Sequence, residues 1–391
     1  MSEPTGRVAG ASDAPTGQRT MVEDAARPQV STRSRDELRA QLEAWLTGQR
    51  GDATPEVHEL QAPESTGMSS DTVLFDVTWS DGARERLVAR LAPDANAAPL
   101  FPEYDLERQY RTMAEVAARS AVPVPPLRAY EPDPRHLGTE FIVMHRVEGL
   151  VPPDIPPYAF GVGWIAEATE EERTRLQRGA VGLLAQLHAI ADAPTVFPWL
   201  ARADDRSPLR AHVDEQRAYA DWVLDGRTGP LIARGFAWLE EHWPEEEGVT
   251  VLSWGDARIG NVIFSDFAPA AVLDWEMAGL GPRELDVGWM IYLHRFFDDL
   301  ARQLGLPGLP DFMRRGDVAA TYEELTGSAP RDLDWYTAYA AVRHAIIMTR
   351  VGMRQAHFGE AELPADVDEL VTHRASLEAM LAGTYWDSVD A

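Results

Sequence analysis

A short β-patterned stretch, residues 250–274, interrupts an otherwise helical C-terminal half, and it carries polar side chains suited to chemistry at both ends. Within Val251–Gly288 the chain reads VLSWGDARIGNVIFSDFAPAAVLDWEMAGLGPRELDVG. Asp256 and Asn261 stand in D-x-x-x-x-N spacing. A hairpin is predicted next, with strands Val262–Phe264 and Ala270–Leu273, and Asp274-Trp275-Glu276 closes it. A loop aspartate can accept the proton of an attacking hydroxyl. An amide oxygen five residues on, and a carboxylate at the hairpin's end, can share hard cations that bridge nucleotide phosphates. Each of these residues alone would suit an ordinary polar turn. Their order around a hairpin suits it poorly.

The chain before this stretch changes period twice. Residues 1–31 are rich in Gly, Pro, Ser, Thr and Ala and predict a disordered tail. Ser34, with Glu37 three residues on, predicts a capped helix whose apolar stripe is Leu38, Leu42, Trp45 and Leu46. Val73–Trp79 and Arg86–Leu91 around Ser80-Asp81-Gly82 predict an antiparallel hairpin. A helix over 104–120 presents Leu106, Tyr110, Met113, Val116 and Ala117. The prolines of Val122–Pro126 stop it. Strands follow near Arg128–Glu131 and Phe141–Val147. Beyond Gly149 the periodicity is helical, over Glu170–Ala193, about 210–243 and Leu333–Phe358. The expected fold is α+β and bilobal: a tail (1–31), a small β-rich N-terminal lobe (32–146) and a larger, mostly helical C-terminal lobe (147–391).

Composition narrows the chemistry. There is no cysteine, which excludes disulfides, thiolate metal sites and a cysteine nucleophile. All 36 Lys+Arg residues are arginine, so a lysine Schiff base and the P-loop lysine are excluded as well. Any phosphate-handling cation is arginine or a metal ion. A net charge of −27 argues against nucleic acid and anionic membranes as partners, and fits colloidal solubility or a cationic ligand. The acidic run Glu240–Glu247 either faces such a ligand or is a solvated face. No apolar stretch spans a bilayer and no signal-peptide pattern opens the chain, so a cytoplasmic protein is expected. Walker A, G-x-S-x-G and G-x-G-x-x-G patterns do not occur.

The array Trp254-Gly255-Asp256, Asn261, Asp274-Trp275-Glu276 and Asp286 resembles the catalytic core of the aminoglycoside phosphotransferase family, whose fold is protein-kinase-like. It looks closest to an actinobacterial branch with S-W-G-D-x-R-x-G-N and G-P-R-E-L-D elements. The resemblance implies transfer of the γ-phosphoryl of ATP or GTP, with Mg2+, to a hydroxyl of a small substrate, aminoglycosides among them. It implies Asp256 as catalytic base, and Asn261 and Asp274 as metal ligands. Asp286 would tie the catalytic loop to the next helix. Arg258 lies where a kinase lysine reaches the transferred phosphoryl. It can act likewise or simply pair with a neighbouring acid.

On the nucleotide side, the resemblance places a phosphate-covering loop at Ser65–Thr72, with Gly67, Ser69, Ser70 and Thr72 as contacts. Met144 and Arg146 fall in the hinge beside the base. Arg90, in Val88-Ala89-Arg90, replaces the β3 lysine and can grip phosphates bidentately. Its helix partner would be the inward-facing Gln109, through a hydrogen bond or not at all, while Glu107 faces solvent. Trp254 stands where relatives usually carry histidine. An indole can fill that space and donate one N–H, but cannot accept. The alternatives are a kinase of another hydroxylated metabolite and, from another class, a pseudokinase that binds nucleotide without turnover. Sequence leaves the acceptor, the nucleotide preference and the oligomeric state open.

Overall fold

Ser34 opens the first helix, its hydroxyl accepting from the Glu37 N–H. The computed structural model describes residues 33–62, 70–93, 98–201 and 206–389. The expected tail over 1–31 therefore lies outside the described residues. Helix α1 is Arg35–Leu46, and it buries Leu38, Leu42, Trp45 and Leu46, the stripe expected from helical period. Strands β1 (Pro55–Val57), β2 (Asp71–Trp79) and β3 (Arg84–Leu91) follow. Then come α2 (Leu106–Arg119), β4 (Leu127–Glu131) and β5 (Phe141–His145). The five strands form one antiparallel sheet in the order β1-β2-β3-β5-β4.

Strand period divides this sheet into two faces. Val73, Phe75, Val77, Leu87, Ala89, Leu91, Phe141 and Val143 pack with α1 into one apolar cluster. The alternate residues Val88, Ile142 and Met144 join the other cluster, which holds α2 and the C-terminal lobe. Arg90 pairs across the ladder with Thr72 and Ile142, so it belongs to that second face and is aimed at the lobe below. Two details differ from expectation. Ala117 is exposed, and Gln109 and Thr112 share the buried face of α2 instead. Strand β5 ends at His145, two residues early.

The C-terminal lobe contains α3 (Glu170–His188), α4 (Pro208–Leu224) and α5 (Pro230–Glu241). A β-segment follows: β6 (Thr250–Ser253), β7 (Val262–Ser265), β8 (Ala268–Val272) and β9 (Gly279–Pro282). Helices α6 (Glu284–Gln303), α7 (Arg315–Thr326), α8 (Leu333–His357) and α9 (Arg374–Leu381) follow, with a last short helix at Tyr385–Val389. The helical stretch expected at 210–243 is two helices. Asp225 and Gly226 adopt positive φ and end α4, and Pro230 starts α5. Helix α3 stops at His188, short of Ala193; Asp192 is left-handed and a separate short helix, Ala193–Val196, starts behind it with Pro194 in its first turn. Strands β6 and β9 pair, as do β7 and β8, all antiparallel. Leu150, just past the small lobe, exchanges backbone hydrogen bonds with Phe264 at 2.8 Å in both directions, which docks the connection onto the hairpin. Among the described residues no helix is long and apolar enough to cross a membrane.

Candidate active site

Strand β6 runs into a tight turn at Trp254-Gly255-Asp256. Gly255 has φ +89°, and a Cβ there would overlap the Met277 carbonyl, so only glycine fits this close approach. Asp286, in the first turn of α6, holds the turn from behind. Its carboxylate accepts from Ser253 Oγ (2.7 Å), Trp254 N–H (2.7 Å), Gly255 N–H (2.9 Å) and His188 Nε2 (3.1 Å). Burial alone would raise this carboxyl's pKa. The donors from His188, Ser253 and Gly255 outweigh it and hold the group below the usual range, so it stays ionised.

The Asp256 side chain is fixed at both oxygens. Oδ2 accepts from Asn261 Nδ2 at 2.6 Å and from Arg258 Nε at 3.3 Å. Oδ1 accepts from the Trp289 indole at 2.7 Å. The amide nitrogen of Asn261 is thus committed to Asp256, and its oxygen is the atom left for a cation. Arg258 is the second partner of Asp256, but its Nη1 lies 2.8 Å from both oxygens of Asp154. Burial opposes its charge, and Asp154 and Asp256 more than restore it. Arg258 thus pairs with two neighbouring acids, Asp154 and Asp256.

Asp274 ends the hairpin with φ +57°, a left-handed conformation that aspartate tolerates better than most residues. The Trp254 indole donates to the carbonyls of Leu273 (2.9 Å) and Asp274 (3.2 Å). This tryptophan uses its single donor to brace the acidic end of the hairpin against the turn at Trp254-Gly255-Asp256. Arg90 Nη2 reaches Asp274 Oδ1 at 2.7 Å and Glu276 Oε2 at 2.8 Å. Burial lowers the Arg90 pKa and the two carboxylates raise it further, for a net rise. Gln109 is buried, as its helical position predicts, while Arg90 takes its ionic partners from the hairpin.

The nucleotide-side expectations fall unevenly. Gly67 and Ser69 lie outside the described residues. Ser70 is buried at the start of β2, and Thr72 sits opposite Arg90. Met144 is paired on both sides, with Val88 and Leu127. Arg146 donates its backbone N–H to Arg86 (2.8 Å), and its guanidinium lies 3.4 Å from Asp76 and from Glu148. In the acidic run, Glu240 is held by Arg210 and Arg217, Glu246 by Arg331 and Glu247 by the Trp243 indole.

Three residues of the constellation escaped sequence reading: Asp154, Trp289 and Arg343. Arg343 donates to the Gly255 carbonyl at 3.1 Å, and its guanidinium lies 4.3 Å from the Trp289 ring centroid. Trp289 had a signal, because it lies three residues after Asp286 on one helix and so shares its face. Asp154, in a proline-rich connection, had none.

Among the described residues no group of three or more His, Cys, Asp or Glu forms a metal cage. A magnesium ion does not need one, since it keeps several waters and takes one or two protein oxygens. Asn261 Oδ1 and the Asp274 carboxylate supply that kind of donor set.

A family model described as a phosphotransferase enzyme family, APH, matches residues 63–315. The chain belongs to this family. Its members transfer phosphoryl groups to hydroxyls, and the bilobal, protein-kinase-like fold expected above is theirs. A Ralstonia eutropha structure assigned as an aminoglycoside phosphotransferase superposes with TM-score 0.61 at 22% identity, covering 90% of this chain and 98% of its own. A macrolide 2'-phosphotransferase type I gives TM-score 0.53 at 17% identity, covering 90% and 99%. These likenesses concern the fold. Among curated proteins, the probable acyl-CoA dehydrogenase IBR3 of Arabidopsis thaliana is 25% identical over 307 residues, 74% of this chain and 35% of its own length. Acyl-CoA dehydrogenase family member 10 of Mus musculus is 26% identical over 292 residues, 70% and 25% respectively. The chain thus spans about a quarter to a third of these relatives.

Proposed function

We propose that this phosphotransferase is a small-molecule kinase, passing the γ-phosphoryl of ATP (or GTP) to a substrate hydroxyl with Asp256 as the base. The observation that carries the reading is the held carboxylate of Asp256. Donors fix both its oxygens, yet among the described residues Oδ1 has only one, so a lone pair remains for an incoming hydroxyl proton. Asn261 and Asp274 would hold magnesium. The ion would neutralise charge on the phosphates as the leaving oxygen departs. Arg90 bridges Asp274 and Glu276 across the two lobes, and it exchanges these carboxylates for phosphate oxygens when nucleotide loads. Thr72 lies on the same sheet face, and Gly67, Ser69 and Ser70 before it are the further phosphate contacts of this reading. The backbone after Met144, through Arg146, meets the base. Arg258, clamped by Asp154, keeps Asp256 oriented and contributes positive charge where the phosphoryl passes.

Aminoglycosides are the first acceptors to test. A second class, hydroxylated acyl thioesters, is favoured by the acyl-CoA dehydrogenase names of the curated relatives. The test is a screen with γ-labelled ATP and Mg2+ against both classes, paired with calorimetry of Asp274→Ala. The variant should lose Mg2+-dependent nucleotide binding and keep metal-free binding. Equal magnesium dependence in parent and variant would refute the ligand assignment. Nucleotide binding without transfer to any acceptor or to water would favour a pseudokinase.

A further inference from the structure

The carboxylate of Asp256 offers about four lone-pair positions on two oxygens. Asn261 and Arg258 occupy Oδ2, at 2.6 Å and 3.3 Å. Among the described residues, only the Trp289 indole, at 2.7 Å, occupies Oδ1. We propose that Trp289 is a positioning residue for phosphoryl transfer: its N–H pins Oδ1 so that the remaining lone pair of that oxygen is the one presented to the acceptor hydroxyl. The inference rests on the reading of Asp256 as the base.

The surroundings of Trp289 support it. The indole is 2% exposed, so its N–H has no water to fall back on and is committed to Asp256. The Arg343 guanidinium stacks over the ring, and the same arginine donates to the carbonyl of Gly255, the residue before Asp256. Tyr292 and His344 pack against the ring, which limits its rotation. Helix α6 therefore holds the catalytic turn at two points. Asp286 fixes the backbone of the turn, and Trp289, on the same face, fixes the side chain that the turn carries. A base swung away from the in-line path loses rate, not nucleotide affinity.

Two substitutions separate the N–H from the bulk of the ring. Trp289→Phe keeps an aromatic face for Arg343 and removes the donor. In Trp289→His the imidazole Nε2 can occupy the place of the indole nitrogen, and the benzo ring is lost. Mg·ATP hydrolysis, with water as the acceptor, is measured at pH 8, where a histidine of ordinary pKa is neutral. Mg·ATP affinity is measured in parallel and reports folding. Trp289→Phe should lose roughly tenfold to hundredfold in kcat, as expected for a hydrogen bond to a charged group. KM and Kd for Mg·ATP should not change. Trp289→His should stay within about threefold of the parent in kcat. The reverse order, equal losses in both variants, or a phenylalanine variant with parental kcat would overturn the positioning role. A parent that does not turn over Mg·ATP would instead overturn the phosphotransfer reading on which it rests.

Discussion

Arg90 and Asp274 lie 184 positions apart in the chain, yet a guanidinium nitrogen of one sits 2.7 Å from a carboxylate oxygen of the other. One residue belongs to the sheet of the small lobe and the other closes the hairpin of the large lobe, so the contact joins the two lobes. The same nitrogen also takes Glu276 at 2.8 Å, and all three side chains are largely shielded from water.

Arg90→Met keeps much of the side-chain volume and leaves two shielded carboxylates facing each other. Removing one partner of such a cluster costs about 3 kcal/mol. The urea midpoint should fall accordingly. Millimolar Mg2+ should restore more stability to the variant than to the parent, because the Asp274 carboxylate, released from Arg90, can take the ion. A variant as stable as the parent, and equally indifferent to Mg2+, would contradict this.

Gly255→Ala should be among the costliest small substitutions in the chain. It places a Cβ on the Met277 carbonyl at a φ of +89° that L side chains rarely adopt. A loss of at least about 2 kcal/mol is expected. Gly279→Ala, where nothing lies within 4 Å, is the control and should change stability by less than about 0.5 kcal/mol. Similar thermal midpoints for the two variants would refute the close-approach argument.

Trp254→His tests the departure from the usual family residue. An imidazole can keep an N–H for the carbonyls of Leu273 and Asp274 but buries less apolar surface. Activity should stay within about tenfold of the parent, or about 1.4 kcal/mol in barrier height. Trp254→Phe loses the donor and should weaken Mg·ATP binding, because the Asp274 segment is no longer braced. Rescue of an inactive parent by histidine would show that the tryptophan disables the site.

Stability should fall in mild acid because of His373. Burial lowers its pKa to about 4, and its Nε2 donates to the Ala341 carbonyl at 2.9 Å while its buried Nδ1 has no hydrogen-bond partner among the described residues. In the unfolded chain a histidine takes up a proton near pH 6.5. The stabilisation is thus complete above about pH 6.5 and is lost as pH falls toward 4. At pH 5 the loss from this one residue is about 2 kcal/mol. His373→Phe should lower the urea midpoint at pH 7.5 and flatten its decline between pH 7 and 5. An unaltered pH profile would contradict the assignment.

What could be read in the sequence was local. The stripes of α1 and α2, the β2–β3 hairpin and the D-x-x-x-x-N turn each follow from period, capping or turn chemistry within a few residues. The misplaced helix ends arose where a left-handed aspartate outweighed apolar periodicity, at Asp192 and Asp225. The site was legible as an inventory, since Asp256, Asn261 and Asp274 stand in one stretch, but its pairings were not. Arg90 meets Asp274, Arg258 meets Asp154, and Trp289 meets Asp256 only after the lobes and helices pack. No spacing rule relates residues so far apart. Strand register did give the face of Arg90, but not which acids would stand opposite it.

The most direct measurement is single-turnover phosphoryl transfer from Mg·ATP by Asp256→Asn. The substitution preserves volume and removes the proton acceptor, leaving Trp289, Asn261 and Arg258 in place around it. The rate should fall roughly 10²- to 10⁴-fold, with Mg·ATP affinity and thermal midpoint near those of the parent. A variant that retains the parental rate would contradict the assignment of Asp256 as the base.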